Sequence, residues 1–552
     1  MKNIIKNDYF IVAVLSAIVF YSFLGVRTLS IPDEGRYVSI ALEMLRTGDW
    51  TVPRLNGVQY LYKPPLFYWL NAISLSLVDN IMVASRLVPA IIGWITVLFT
   101  YGVAKRFYTK DVAMYSALFM SLSFIWYVGS RSVNLDLAVA GFTAWAMFSY
   151  ILGFDETCRY KRNIYLYAMY IFSAMAVLTK GFMGIVIPGA VFFLHIALTN
   201  NWRALLRLNI PTGIILFFII IMPWHIMMNG ANSEWFDFYI IREHFLRFFT
   251  KVHSRYAPMW YFIPIMALGV MPFGAFVMQP LLQIKKYWNN RLKDSGIDLY
   301  LWIWFVFIFV FFSVSSSKLP LYILPIIPAL AIMVARFMVS YINGNHDRCV
   351  KISSVFYFLF AGGVGGVLLL FQMFPVFVPE TDNASLPEDF VTMGKPLWLC
   401  AGGLFFHSLI STVCAYMGKR RSAIIVAGLL YLPVIFSLNF IAQDINEKST
   451  YDLVQVLKER RTDNAEVVTK IFIEDLPAYL NENISVINYS GESNYFLHYE
   501  DISNRYYDSA EFSRRWNSDK KMFLITYNQG TKNWVEGKIL FRNKMYILRT
   551  NK

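Results

Sequence analysis

Residues 299–315 read LYLWIWFVFIFVFFSVS, and residues 319–340 read LPLYILPIIPALAIMVARFMVS. The first run holds no charged side chain and the second holds only Arg336. Ser316, Ser317 and Lys318 join them. Each run is about the length that spans a bilayer as a helix. So short a joint makes a tight hairpin that sends the chain straight back. The pattern repeats outward in both directions, at 9–26, 83–103, 111–128, 134–153, 163–178, 181–198, 209–227, 258–279, 353–376, 396–417 and 422–441. That makes about thirteen candidate spans by hydropathy. A second tight hairpin falls near Gly181.

The composition agrees. Of 552 residues, 57% are hydrophobic and 16% charged, with 47 Phe, 34 Tyr and 15 Trp. Soluble domains carry about 25% charged residues. A disordered chain, a collagen-like repeat, a disulfide scaffold and an ordinary soluble enzyme are excluded. The net charge of +14 would suggest a nucleic acid to a soluble chain. In a membrane protein it reflects the basic inner loops, and no nucleic-acid partner is expected. The four cysteines, Cys158, Cys349, Cys400 and Cys414, have neither metal-site nor redox-pair spacing. The first run follows Lys2 and Lys6, and no small-x-small cleavage site follows it. It reads as an uncleaved first helix.

Lys and Arg set the orientation. With the N-terminus inside, the short inner segments hold 19 of them, from Lys2 and Lys6 through Lys105 and Arg106 to Arg420 and Arg421. The short outer connections hold four, Arg131, Lys180, Lys318 and Lys395. The positive-inside rule then places the C-terminus outside. Two long loops, 27–82 and 228–257, fall on that outer side and belong with a membrane domain of residues 1–441. Residues 442–552 form a small outer α/β domain. Its strands are expected at 467–473, 484–488 and 522–526, and a helix at 450–460.

Loop 27–82 begins Ile31-Pro32-Asp33-Glu34-Gly35-Arg36-Tyr37. A helix with Val38, Ala41, Leu42 and Leu45 on one face follows, and a second apolar helix runs from Leu66 to about Leu77. Both are expected to lie along the membrane surface. Taken alone, Asp33 reads as an N-cap and Lys63 as a side chain that snorkels to the interface. Other outer charges change that weighing: Asp136, Lys180, Glu243, His244, Arg247 and Lys318, with Tyr322 beside them. Ionisable residues at membrane depth are costly and usually functional. A transporter would more often set them near the midplane, whereas these gather at one face. No G-x-x-x-x-G-K-[ST] or H-E-x-x-H motif is present, and no D-x-D. ATP-driven work, zincin chemistry and a nucleotide cofactor are therefore not expected. A lipid monophosphate leaving group needs only two or three cations. Lys63, Arg247 and Lys318 can supply them, with Tyr322 as a neutral donor.

These stretches resemble a known family. Pro32-Asp33-Glu34-Gly35-Arg36-Tyr37, Gly48-Asp49-Trp50-Thr51-Val52-Pro53, Lys63-Pro64, Leu135-Asp136, Thr179-Lys180-Gly181, Glu243-His244-Phe245-Leu246-Arg247-Phe248 and Lys318-Leu319-Pro320-Leu321-Tyr322-Ile323-Leu324 occur in order along the chain. The chain is similar to the bacterial lipid A aminoarabinose transferases. These belong to the wider superfamily of protein O-mannosyltransferase-like membrane glycosyltransferases. The resemblance implies an all-α polytopic fold of the GT-C type in the inner membrane, with the active site and the C-terminal α/β domain in the periplasm. It implies lipid-to-lipid transfer of an amino sugar from undecaprenyl phosphate to a lipid A phosphate, the modification associated with polymyxin resistance. One departure stands out: family members commonly have Glu before the Lys-Pro, and here that residue is Tyr62. A different amino sugar, such as a galactosamine, fits that change, and the metal is left open.

The expected chemistry is one inverting displacement at the anomeric carbon. Asp33, Asp136 and Glu34 are the catalytic candidates. Lys63, Arg247, Tyr322 and Lys318 are expected to hold the donor phosphate. Arg36, Tyr37, Tyr60, Lys180, Glu243 and His244 are expected to bind substrate. Two alternatives remain: a protein O-mannosyltransferase-like enzyme, in which Asp33 would act as base, and a lipid flippase or transporter.

Overall fold

The computed structural model describes residues 7–246, 257–374, 394–462, 464–489, 497, 499, 501–528 and 535–552. The chain divides into two compact units. One comprises residues 1–24, 89–229 and 233–442; the other comprises 25–88, 230–232 and 443–552.

The first unit is helical. Among the described residues of the chain, eight helices are long and apolar enough to cross a membrane, or up to ten if each bent pair is one span. The bent pairs are Lys110–Leu122 with Phe124–Ser130, and Met259–Gly269 with Gly274–Leu281. Within the described residues, each apolar run of the sequence falls on one of these or on three further helices. Asp8–Tyr21 and Met183–Leu198 are shorter. Arg159–Lys180 carries four basic residues and four tyrosines.

Composition decides which helices are interior. Leu135–Asp155 is buried at almost every position. Its small residues, Ala138, Ala140, Gly141, Ala144 and Ala146, let neighbouring helices approach closely. Ile210–Ala231 is apolar all round and leaves Ile214, Ile215, Phe218 and Ile219 exposed, as a helix facing lipid does. The hairpin between Arg159–Lys180 and Met183–Leu198 turns at Gly181, whose φ of 92° favours glycine.

The second unit is α/β. A short hairpin pairs β1, Arg54–Leu55, with β2, Val58–Gln59. The main sheet holds β3 (Glu466–Thr469), β4 (Ser485–Ile487), β5 (Tyr506–Tyr507), β6 (Met522–Tyr527), β7 (Lys538–Arg542) and β8 (Tyr546–Thr550). Their order is β5-β4-β3-β6-β8-β7. The first four run parallel, and β8 pairs antiparallel with both β6 and β7. Helices Tyr451–Arg460, Leu476–Leu480 and Ser509–Trp516 accompany it.

Three of these strands and the first helix match the sequence expectation. Residues 470–473 do not extend β3, because the ladders on its two sides end at Thr469. The helix expected to lie along the membrane surface, Asp33–Thr47, is instead buried along most of its length. Ser39, Ile40 and Glu43 are as covered as Val38 and Ala41. It packs between Leu66–Leu77 and Leu476–Leu480. Gly35 makes that possible, since a Cβ there would lie 2.6 Å from the Asp475 backbone nitrogen.

Candidate active site

In the second unit, the candidate residues cluster at the start of the helix Asp33–Thr47. Asp33 does not cap this helix. Pro32 holds the N-cap position and Asp33 is the first helical residue. Its side chain is 61% exposed, with Arg36 Nη1 3.6 Å away. The helix dipole favours an anion at that position, and its exposure leaves the carboxylate accessible to a ligand.

Glu34 meets different surroundings one residue later. Its side chain is 4% exposed. Arg86 grips it through two bonds, Nε to Oε1 at 3.1 Å and Nη2 to Oε2 at 2.7 Å. Arg27 Nη2 donates to Oε1 at 2.8 Å, and the Ser30 backbone N–H to Oε2 at 2.9 Å. Burial works against its charge, but Arg86 and Arg27 prevail and hold its pKa down to about 2. Arg86 also donates to the carbonyls of Arg27 and Thr28. Glu34 therefore braces the entry to the helix.

Arg36 is buried, with Tyr60 Oη 3.5 Å and Glu474 Oε1 3.9 Å from its guanidinium. Asp33, Arg36, Tyr60 and Glu474 thus share one polar corner. Tyr37 turns away from it, with its ring centroid 6.1 Å from Phe67 and 5.9 Å from Tyr68. The Tyr60 and Tyr62 rings lie tilted at 43° with centroids 5.0 Å apart, and Lys63 follows, half-buried.

In the first unit, three candidates from distant stretches converge. Asn134 caps Leu135–Asp155 by accepting from the Leu137 N–H at 2.9 Å, which sets Asp136 in the first turn. Lys180 ends Arg159–Lys180 beside it and pairs with Asp136 Oδ1. The ammonium also lies 4.5 Å from the ring centroid of Tyr322. Tyr322 belongs to the 3₁₀ segment Pro320–Ile326. One cation thus aligns an anion and a phenol, in contacts that strengthen where water is scarce.

Lys318 does not join this group. Its ammonium donates to the carbonyls of Ala257, at 2.8 Å, and Ser315. It therefore ties down the end of the helix Ile297–Val314. The backbone of Glu243 and His244 lies in the π-helical stretch Asp237–Leu246. Arg247 lies outside the described residues. Among the described residues, no three His, Cys, Asp or Glu side chains group as metal ligands.

Two participants escaped sequence reasoning. Arg86 left a signal, a lone arginine inside the apolar run 83–103. Glu474 left none, because only folding brings it to Arg36.

Residues 62–227 match the dolichyl-phosphate-mannose-protein mannosyltransferase family. An undecaprenyl phosphate-alpha-4-amino-4-deoxy-L-arabinose arabinosyl transferase from Pectobacterium carotovorum subsp. carotovorum is 26% identical over 529 residues, covering 94% of this chain and 92% of that protein. Its namesake from Edwardsiella ictaluri is 30% identical over 374 residues, covering 67% and 66%. The crystal structure of ArnT from Cupriavidus metallidurans bound to undecaprenyl phosphate superposes with a TM-score of 0.84 at 22% identity, covering 98% of this chain and 97% of that one. The Archaeoglobus fulgidus oligosaccharyltransferase superposes at 0.51 and 12% identity, covering 94% and 69%.

Proposed function

We propose that this chain, which belongs to the family of lipid A aminoarabinose transferases, moves an amino sugar from undecaprenyl phosphate to lipid A. It is a multi-pass membrane glycosyltransferase. The observation that carries the site assignment is the meeting of Asp136, Lys180 and Tyr322, three side chains from three separate family-like stretches.

The reaction is a single displacement. A phosphate oxygen of lipid A attacks the anomeric carbon, the bond from that carbon to the carrier phosphate breaks, and undecaprenyl phosphate leaves with the electron pair. The acceptor is already an anion, so positioning and charge handling dominate. Lys63, Arg247 and Tyr322 hold the departing phosphate. Asp33 and Asp136 face the positive charge that develops on the sugar ring and the sugar's own ammonium. Lys180 fixes the direction of Asp136 and the tilt of Tyr322. Glu34 keeps the Asp33 turn in place, and Lys318 acts through the backbone rather than on the phosphate.

The short loops rich in Lys and Arg lie on the cytoplasmic side of the inner membrane. The site and residues 442–552 face the periplasm. Alkaline phosphatase fused after Lys552 is expected to be active, and fused within 285–293 inactive.

The deciding experiment incubates purified protein with an undecaprenyl phosphate-linked amino sugar and lipid A, followed by mass spectrometry. The expected result is lipid A heavier by one amino sugar, bound through phosphate, with undecaprenyl phosphate released. Modification of a peptide hydroxyl instead would return the protein O-glycosyltransferase reading. Movement of intact donor across vesicles without transfer would return the flippase reading.

A further inference from the structure

The second unit contains a polar cavity of about 220 Å³, lined by residues that include Thr28, Gln443, Asn446, Tyr451, Asp452 and Asn543. We infer that it is a subsite for a neutral or amine-bearing sugar unit of the acceptor glycolipid. This rests on the transfer reaction proposed above.

The lining is rich in hydrogen-bonding groups left over after folding. Gln443 uses its carbonyl oxygen on Thr28, accepting from the N–H at 2.7 Å and the hydroxyl at 3.2 Å. Asn446 uses its amide nitrogen on Thr28 and Leu29. Asn543 uses its side-chain oxygen on the N–H groups of Met545 and Tyr546. Among the described residues, the Gln443 and Asn543 amide nitrogens, the Asn446 carbonyl oxygen, the Tyr451 hydroxyl and the Asp452 carboxylate have no protein partner. Side-chain amides, a carboxylate and a tyrosine are the donors and acceptors that vicinal hydroxyls match.

Charge narrows the ligand. Glu447 pairs with Lys544 at 2.8 Å, and Asp452 adds a second carboxylate. Two anions against one cation disfavour a phosphate and favour hydroxyls or an ammonium. Position in the sequence identifies the carrier. Thr28 lies two residues beyond the apolar run 9–26, and Gln443 two beyond the run 422–441. Along the sequence, the lining therefore begins just after two hydrophobic segments, and a glycolipid holds its sugars just beyond its acyl chains.

The cavity is also wired to the candidate site within the same unit. Thr28, gripped by Gln443 and Asn446, accepts from Arg86 through its carbonyl at 2.9 Å, and Arg86 holds Glu34 beside Asp33. Thr28 is thus shared by the cavity wall and by the Arg86–Glu34 brace next to Asp33.

The test uses the full-length chain with Tyr451→Phe and Asp452→Ala together, which leave the Thr28 contacts and the Tyr451–Tyr479 ring contact intact. The expected result is an approximately tenfold rise in KM for lipid A, with kcat, KM for the donor and the melting temperature unchanged; a fold of ten is one step of 1.4 kcal/mol in binding. In a second arm, saturation-transfer NMR with glucosamine and N-acetylglucosamine gives signals with the wild type that the double variant loses. An unchanged acceptor KM with an active wild type overturns the subsite. Inorganic phosphate competing with both sugars overturns the ligand class. A wild type that transfers nothing overturns the transferase reading instead, and the NMR arm then decides whether the cavity binds sugar.

Discussion

Glu34 and Asp136 are both carboxylates in the first turn of a helix, and both meet basic side chains. The region around Glu34 surrounds it with two arginines and a backbone N–H and shuts out solvent. The region around Asp136 gives it one lysine, itself poised over an aromatic ring, and leaves the carboxylate 16% exposed. A buried ion network with its partners filled holds a fold together. A part-exposed pair with lone pairs to spare can turn toward a substrate. Residue type does not separate the two cases; the count of partners and the access of water do.

The contrast breaks most readily at Glu34. Glu34→Ala leaves the Arg27 and Arg86 charges buried without their counterion, a loss on the order of 3–5 kcal/mol. The second unit is expected to melt and to become protease-sensitive, with activity lost as a consequence. A Glu34→Ala variant with wild-type melting and no turnover would make Glu34 chemical and erase the difference. The low pKa of Glu34 adds a pH signature. Its stabilising charge is present above its ordinary value and is lost as pH falls toward about 2.

Asp33 sharpens the same contrast from the next residue. Asp33→Asn is expected to lower kcat by roughly 10²–10³-fold, with the melting temperature unchanged because the side chain is exposed and caps nothing. Near-normal turnover would remove Asp33 from the site. On the Asp136 side, Lys180→Met is expected to cost about tenfold in kcat, about 1.4 kcal/mol, and Lys180→Arg to recover part of it. A loss of folding equal to that of Glu34→Ala would show that the two regions are not different in kind.

The smallest effect expected is at Asp475, where burial outweighs hydrogen bonds from Thr450 and Ser449 and pushes the pKa up to about 7. The folded protein then holds a proton that the unfolded chain, with an ordinary value of about 3.9, releases. Stability is gained as pH falls through 7 and lost as pH rises through it. A drop in melting temperature of a few degrees from pH 6 to pH 8 is expected, and Asp475→Asn should flatten it. The same slope in the variant would assign the titration elsewhere.

The amino-acid sequence alone determined the helical membrane architecture, since among the described residues each apolar run lies on a helix, and the strands at 466–469, 485–487 and 522–527 were readable from local pattern. Hydrophobic run length and turn residues are local, and the bilayer and the sheet read them locally. The short strand β5 and the pair β7 and β8 were not legible, because their pairing partners alone define them. The candidate site divided along the same line. Asp33, Asp136, Lys180 and Tyr322 stood out as polar residues at one end of apolar segments. Only the tertiary structure decided that Glu34 is enclosed by Arg27 and Arg86, that Lys318 is held by backbone carbonyls, and that Glu474 comes to Arg36. A side chain's role follows from how many partners reach it and how much water remains. Residues hundreds of positions apart set both quantities, and no local pattern in the sequence records them.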